Sequence, residues 1–309
     1  MEKDACILVV GHDDIIERSL TRHFKEEGFS HFYASTEIGL NTTVQPAVYE
    51  FFQEKRPEYI FLGSVRSGGI EANQKFCGDF FYQNAESQNN VVYAAHKFGV
   101  RKLVYFASSC VYPKEAAQPM REDMLLTGPL EPTSESYALA KIAGIKLIEA
   151  YRKQYGLNAV CMIPATVYGP EADTDIEHAH VLGALVTRFS RAKKEQAPKV
   201  VLWGTGQPRR EFIYSTDFVA ASLHVMERDV EAAVVHAGSG EDIPIQVLAE
   251  KIAAAVGYEG AIEFDANKPD GARQKLLDSS RLRGSGWRPA VGLEEGLRKT
   301  VQWYNEQEG

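Results

Sequence analysis

The sequence predicts a doubly wound α/β fold, with a mostly parallel sheet covered by helices on both faces and a smaller C-terminal domain. Two observations support this. Short apolar runs alternate with helical patterns through the first half of the chain, and each helical pattern stops at a glycine able to take the left-handed conformation past a helix end. The apolar runs are also nearly continuous, as strands covered on both faces must be.

Ala5–Val10, Pro57–Gly63 and Lys102–Ser109 are the first three expected strands. Between and after them, Asp14–Glu27 runs to Gly28, Glu71–Phe98 to Gly99 and Ser134–Tyr155 to Gly156, each read as a helix. A further strand, Ala159–Ile163, meets Pro164 and the turn Tyr168-Gly169-Pro170, beyond which the pattern becomes irregular and polar. Residues 1–165 are therefore expected to form a nucleotide-cofactor domain. Residues 166–309 are expected to form mainly a substrate domain, with Val181–Arg191 and Pro244–Val256 helical and Lys199–Trp203 a strand. The chain is expected to return to the first domain near 211–240.

The 309 residues are 44% hydrophobic and 25% charged, which excludes disorder and fibrous architectures. With 34 basic and 42 acidic residues the formal charge is −8, so no broad electrostatic footprint favours nucleic acid or an anionic membrane. No stretch approaches the roughly 20 apolar residues that span a bilayer, and the opening apolar run is too short for a signal segment; a cytoplasmic location is expected. Cys6, Cys77, Cys110 and Cys161 are scattered, which suggests neither a disulfide framework nor a metal site.

Tyr137 and Lys141 stand four apart in a helical pattern, on one face and one turn apart. An ammonium beside a phenol lowers its pKa from near ~10, and such a pair can exchange a proton with a carbonyl. Ser108, Ser109 and Cys110 follow the third strand at its carboxyl end, where open α/β sheets place their ligand crevice.

Longer blocks sharpen this reading. Ser108-Ser109-Cys110-Val111-Tyr112-Pro113, the run from Tyr137 to Lys146, and Gly204-Thr205-Gly206-Gln207-Pro208-Arg209-Arg210-Glu211-Phe212 resemble the GDP-L-fucose synthase family. These are extended short-chain dehydrogenase/reductases of Rossmann-like fold, and the similarity runs almost end to end. The resemblance implies inversion of C3 and C5 of a GDP-linked 4-keto-6-deoxy sugar, followed by reduction of the C4 ketone with NADPH. It implies Cys110 as base and His180 as acid for the inversions. For reduction it implies Tyr137 as proton donor, Lys141 as its modulator and cofactor ribose ligand, and Ser108 as donor to the carbonyl. Arg188, Arg210 and Lys275 match positions facing the nucleotide diphosphate, Trp203 supplies a flat apolar wall, and the two long helices imply a homodimer.

One block departs. Where the family carries a Gly-x-x-Gly-x-x-Gly turn, this chain reads Gly11-His12-Asp13-Asp14-Ile15-Ile16-Glu17 and keeps only the first glycine. A carboxylate 4 Å from a phosphate charge costs ~4 kcal/mol at an effective dielectric of 20, whereas acids in a helix's first turn gain only ~0.3–1 kcal/mol from its dipole. The family's arginine after the second strand is also replaced, in Ala34-Ser35-Thr36-Glu37, and Glu37 is instead suited to a free ribose 2′-hydroxyl. NADP(H) is thus implied by resemblance, while the residues leave NAD(H) or no nicotinamide open. The alternatives are an epimerase independent of nicotinamide and a non-catalytic partner that binds a sugar nucleotide.

Overall fold

The structure, a computed structural model, describes every residue except 174–180, 229, 231, 269 and 309, together with all side chains outside these but those of Ile70 and Glu308. The first part of the chain forms β1 (Ile7–Val10), α1 (Ile15–Glu26), β2 (Phe32–Ala34), α2 (Gln45–Lys55), β3 (Tyr59–Leu62), α3 (Ile70–Lys75), α4 (Cys77–Phe98), β4 (Lys102–Phe106), α5 (Glu135–Tyr155) and β5 (Ala159–Pro164). The remainder forms β6 (Thr166–Tyr168), α6 (Val181–Lys194), β7 (Lys199–Trp203), β8 (Arg209–Tyr214), α7 (Ser215–Glu227), β9 (Val234–Ala237), β10 (Asp242–Pro244), α8 (Ile245–Val256), β11 (Ala261–Asp265), β12 (Gln274–Lys275), α9 (Ser280–Gly284) and α10 (Leu293–Glu308).

Six strands pair in the order β2-β1-β3-β4-β5-β9, every pairing parallel. β1 and β4 are buried along their whole length, and full burial of one aliphatic side chain is worth about 1.5–3 kcal/mol, so these runs anchor the core. The three glycines read as helix stops do lie past helix ends with positive φ: 71° at Gly28, 71° at Gly99 and 67° at Gly156. The single helix expected over Glu71–Phe98 is instead two. Phe76 leaves helical geometry (φ −116°, ψ 31°) and its ring stacks on Phe80.

Helices α4 and α5 lie side by side on one face of the sheet. Gly144 makes this possible: a Cβ there would stand 2.4 Å from the Tyr105 hydroxyl and 2.6 Å from Gln88 Oε1. Those two groups bond to each other, and Gln88 Nε2 donates to the Ala140 carbonyl, which ties α4, α5 and β4 together. A second apolar cluster gathers α6, α8 and α10 with β7 and β8. β8 is central to a small sheet of order β10-β8-β12, with β6 also paired to it.

The strand order reverses at β1: β2 lies on one side, β3 and its successors on the other. Crevices at such a switch point, outside the carboxyl ends of the strands, are where this architecture places ligands.

Candidate functional site

Beyond β4, Ser108 enters a short turn over Ser109–Val111, and its hydroxyl lies 2.8 Å from Cys110 Sγ. Cys110 is 8% exposed. Helix α5 brings Tyr137 and Lys141 up to this turn, close enough that the Cys110 thiol bears electrostatically on both. Ser64, beyond the end of β3, shares a 2.8 Å hydrogen bond with the Tyr137 hydroxyl. Lys141 Nζ donates to the Phe106 carbonyl at 2.9 Å and lies 4.6 Å from the centre of the Tyr105 ring.

Burial pushes the Lys141 ammonium down to about 7, against the opposing pull of Cys110 and Asp14. Burial pushes the Tyr137 phenol well above the usual tyrosine range, with Cys110 adding to the rise and the Ser64 hydrogen bond opposing it. The lowering of Tyr137 by Lys141 expected from their spacing is not found: the one opposing influence is the Ser64 hydrogen bond, and desolvation exceeds it. Tyr137 stays protonated at neutral pH and presents an O–H donor.

Register brings the substrate candidates together. Arg210 on β8 pairs with Lys275 on β12, and Lys275 is electrostatically coupled to Cys110, Arg210 and Glu131, with burial lowering its pKa. Arg210 Nη1 donates to the carbonyls of Arg209 and Ala272, which fixes the guanidinium plane. Trp203, 57% exposed at the end of β7, carries the Lys268 ammonium 5.1 Å from its ring centre. Arg188 is half-buried on α6. His180 lies outside the described residues.

Two groups escaped sequence reasoning. Glu211, 2% exposed, accepts from the amides of Gly240 and Leu277, and burial raises its carboxyl to about 7. His236, fully buried on β9, donates from Nδ1 to the Asp278 carbonyl, so Nε2 accepts from the Tyr112 hydroxyl. Glu211 stands inside the Gly204–Phe212 block, which is its one signal in the sequence, and no motif marks His236.

At the opposite side of the crevice, a nicotinamide dinucleotide would need an open glycine turn, clear space beyond the carboxyl ends of β1 and β3, and, for a 2′-phosphate, an available cation. The Glu17 side chain fills the turn. It is 2% exposed, accepts from the amides of Asp13 (2.7 Å) and Thr36 (3.2 Å) and from Ser35 Oγ (3.3 Å), and would meet a Cβ on Gly11 at 2.7 Å. Asp14 caps α1 by accepting from Glu17 N. His12 crosses the β1/β3 gap: Nδ1 donates to the Ser64 carbonyl and Nε2 pairs with Ser67 Oγ, each at 2.9 Å. A cavity of about 290 Å³ beside the turn carries Arg18, Arg22 and Lys25, but these pair with Asp13, Glu171 and Glu37 respectively. Glu37, expected to meet a ribose hydroxyl, is held 2.6 Å from Lys25. The residues present do not fit the dinucleotide in its ordinary place.

A doubly wound parallel sheet with Tyr137 and Lys141 beside a strand-end serine defines the class of short-chain dehydrogenase/reductases. Residues 7–238 match the model of the NAD dependent epimerase/dehydratase family. GDP-L-fucose synthase 1 of Arabidopsis thaliana is 43% identical over 98% of this chain and 94% of its own. Two solved structures, each 31% identical and covering 99% of both chains, superpose closely: a GDP-6-OMe-4-keto-L-xylo-heptose reductase from C. jejuni at a TM-score of 0.93, and a GDP-mannoheptose C4 reductase from Campylobacter jejuni with NADP bound at 0.89. The chain belongs to the NAD dependent epimerase/dehydratase family, within its GDP-L-fucose synthase branch.

Proposed function

We propose that this protein acts on a GDP-linked 4-keto-6-deoxy sugar, inverting the carbons that flank the ketone. The observation that carries the reading is the convergence of Ser108, Cys110, Tyr137 and Lys141 at the carboxyl end of β4, with Lys275 bearing on the same thiol and Arg210 its register partner on the neighbouring strand. In this reading Cys110 Sγ, as thiolate, takes a proton from the carbon beside the ketone. The C–H electron pair moves to the ketone oxygen, which accepts hydrogen bonds from Tyr137 and Ser108, and a proton returns to the opposite face of that carbon from His180. Arg188, Arg210 and Lys275 hold the diphosphate, with Trp203 as an apolar wall.

Reduction of the same ketone is the family's second half-reaction and calls for NADP(H), which the Gly11–Glu17 turn does not fit. The proposal retains 1–165 with a return near 211–240 as the cofactor-type unit and 166–309 as mainly the substrate unit, in a cytoplasmic enzyme. It includes a homodimer through α4 and α5, which expose Phe81, Tyr82 and Leu139; sedimentation as a monomer at micromolar concentration would count against that part.

Incubation with a GDP-4-keto-6-deoxy sugar and NADPH in deuterium oxide should place deuterium at C3 or C5. Cys110→Ser should slow this by about 10²–10⁴-fold, the usual contribution of a positioned base. Equal exchange by the variant would remove Cys110 from the mechanism.

A further inference from the structure

We infer that this chain has replaced the dinucleotide with its own side chains and that its site carries out only the redox-neutral half of the family's chemistry. The inference rests on the proposed function above and narrows it. Hydrogen bonds at the first turn, at the end of β2 and across the switch point all lead to it.

Amides of the first turn, which would face a pyrophosphate, are consumed internally. The Asp13 N–H donates to Glu17 and the Glu17 N–H to Asp14. Thr36 N and Ser35 Oγ, at the end of β2 where an adenosine ribose would rest, also donate to the Glu17 carboxylate. His12 bonds across the switch point itself, joining the segment after β1 to the carbonyl of Ser64 and the hydroxyl of Ser67 after β3. On the far side of Ser64, the Tyr137 hydroxyl is bonded to Ser64 Oγ. The Asp14 carboxylate lies near enough to bear on both Tyr137 and Lys141, so a negative charge already occupies the approach to the catalytic pair.

The buried carboxylate also explains why the turn is stable without glycines. Asp13 sits at φ 62°, a conformation a non-glycine residue holds at a cost. Glu17 secures its amide, and Arg18 grips its carboxylate through Nε and Nη2, each at 2.8 Å. Opening the turn for a pyrophosphate would break these bonds and place two like charges against it. Inversion beside a ketone has no such need. The proton leaves carbon for sulfur, the electron pair waits on oxygen, another proton returns, and no electrons pass to a second molecule.

The test has two arms on the full-length protein. Fluorescence and calorimetric titrations with NADPH and NADH should show no saturable binding up to about 1 mM. Deuterium exchange into the GDP-4-keto sugar should proceed at the same rate with and without NADPH, with no NADPH consumed and no nicotinamide released on denaturation. Saturable micromolar binding, exchange that requires NADPH, or NADPH consumption overturns the inference while leaving the proposed function standing. Loss of exchange under both conditions overturns the proposed function, and this inference with it. Asp14→Gly with Glu17→Gly should bring NADPH binding into the measurable range, a gain of about 100-fold or more from removing two charges and a blocked turn. If that variant does not melt cooperatively, Asp14→Asn with Glu17→Gln keeps the shape and should still gain about 10-fold. No gain in a folded variant overturns the assignment of these carboxylates as the blocking groups.

Discussion

The two banks of the crevice contrast in what their polar groups are bonded to. On the bank formed by β4 and α5, the polar groups gather on one another, Ser108 bonded to Cys110 and Tyr137 held beside them with its hydroxyl protonated. On the bank formed by α1 and β2, the amides are turned inward onto Glu17 and the cations are paired. The banks share Ser64, whose carbonyl serves His12 and whose hydroxyl serves Tyr137. Catalytic geometry held by a helix and a buried strand can thus persist while the neighbouring loop changes its chemistry, because so few bonds connect the two.

The largest effect that sharpens this contrast is on stability. Unfolded, Lys141 titrates near the ordinary lysine value of 10.5; burial in the fold pushes it down to about 7. Between those values the unfolded chain binds more protons, so the native state gains stability as pH rises from 7 to 10.5, on the order of 5 kcal/mol in total, and bears the full penalty of a buried ammonium below 7. Lys141→Met should abolish that rise, read as the difference between urea denaturation midpoints of the two proteins from pH 6 to pH 10. A constant difference would show that the ammonium is solvated. Glu211, raised from 4.5 to about 7, acts in the opposite sense, its contribution falling as pH climbs from 4.5 to about 7 and the same in both proteins.

Next comes the sugar-nucleotide side. Arg210→Ala should weaken GDP binding by about 1.5–3 kcal/mol, the worth of a charge-assisted hydrogen bond. Calorimetry giving an unchanged affinity would confine Arg210 to bracing the Arg209 and Ala272 carbonyls. The smallest effect belongs to the shared residue. Ser64→Ala removes one hydrogen bond to Tyr137, worth about 0.5–1.5 kcal/mol, and should slow exchange by no more than about 10-fold while leaving His12 bonded to the carbonyl. A loss as large as that of Cys110→Ser would mean the two banks are more tightly coupled than their bonding shows.

The parallel strands were legible because burial on both faces demands unbroken apolar runs, and the catalytic turn because its residues are contiguous. Other elements concealed themselves. α10 buries Leu297, Thr300, Val301 and Tyr304 amid charges, and β8 opens on Arg209, Arg210 and Glu211, the last a buried carboxylate that no hydropathy pattern announces as strand. The acids at Asp14 and Glu17 were visible as a departure, but that Glu17 folds inward depends on Ser35 and Thr36 beyond β2, partners that only the β1/β2 register brings within reach. The pairing of Arg210 with Lys275 likewise arises from the β8/β12 register, not from local spacing.

The buried Tyr112–His236–Asp278 chain has a mechanical consequence. Tyr112 closes the turn that carries Cys110, and Asp278 follows the strand that carries Lys275. With His236 bonded to both, and Met120 bridging Leu277, the nucleophilic turn and the cation-bearing strand are clamped to the same edge of the sheet. Any swing of the C-terminal layer over a ligand must therefore pivot outside this clamp, so that the thiol and the ammonium keep their spacing throughout the stroke.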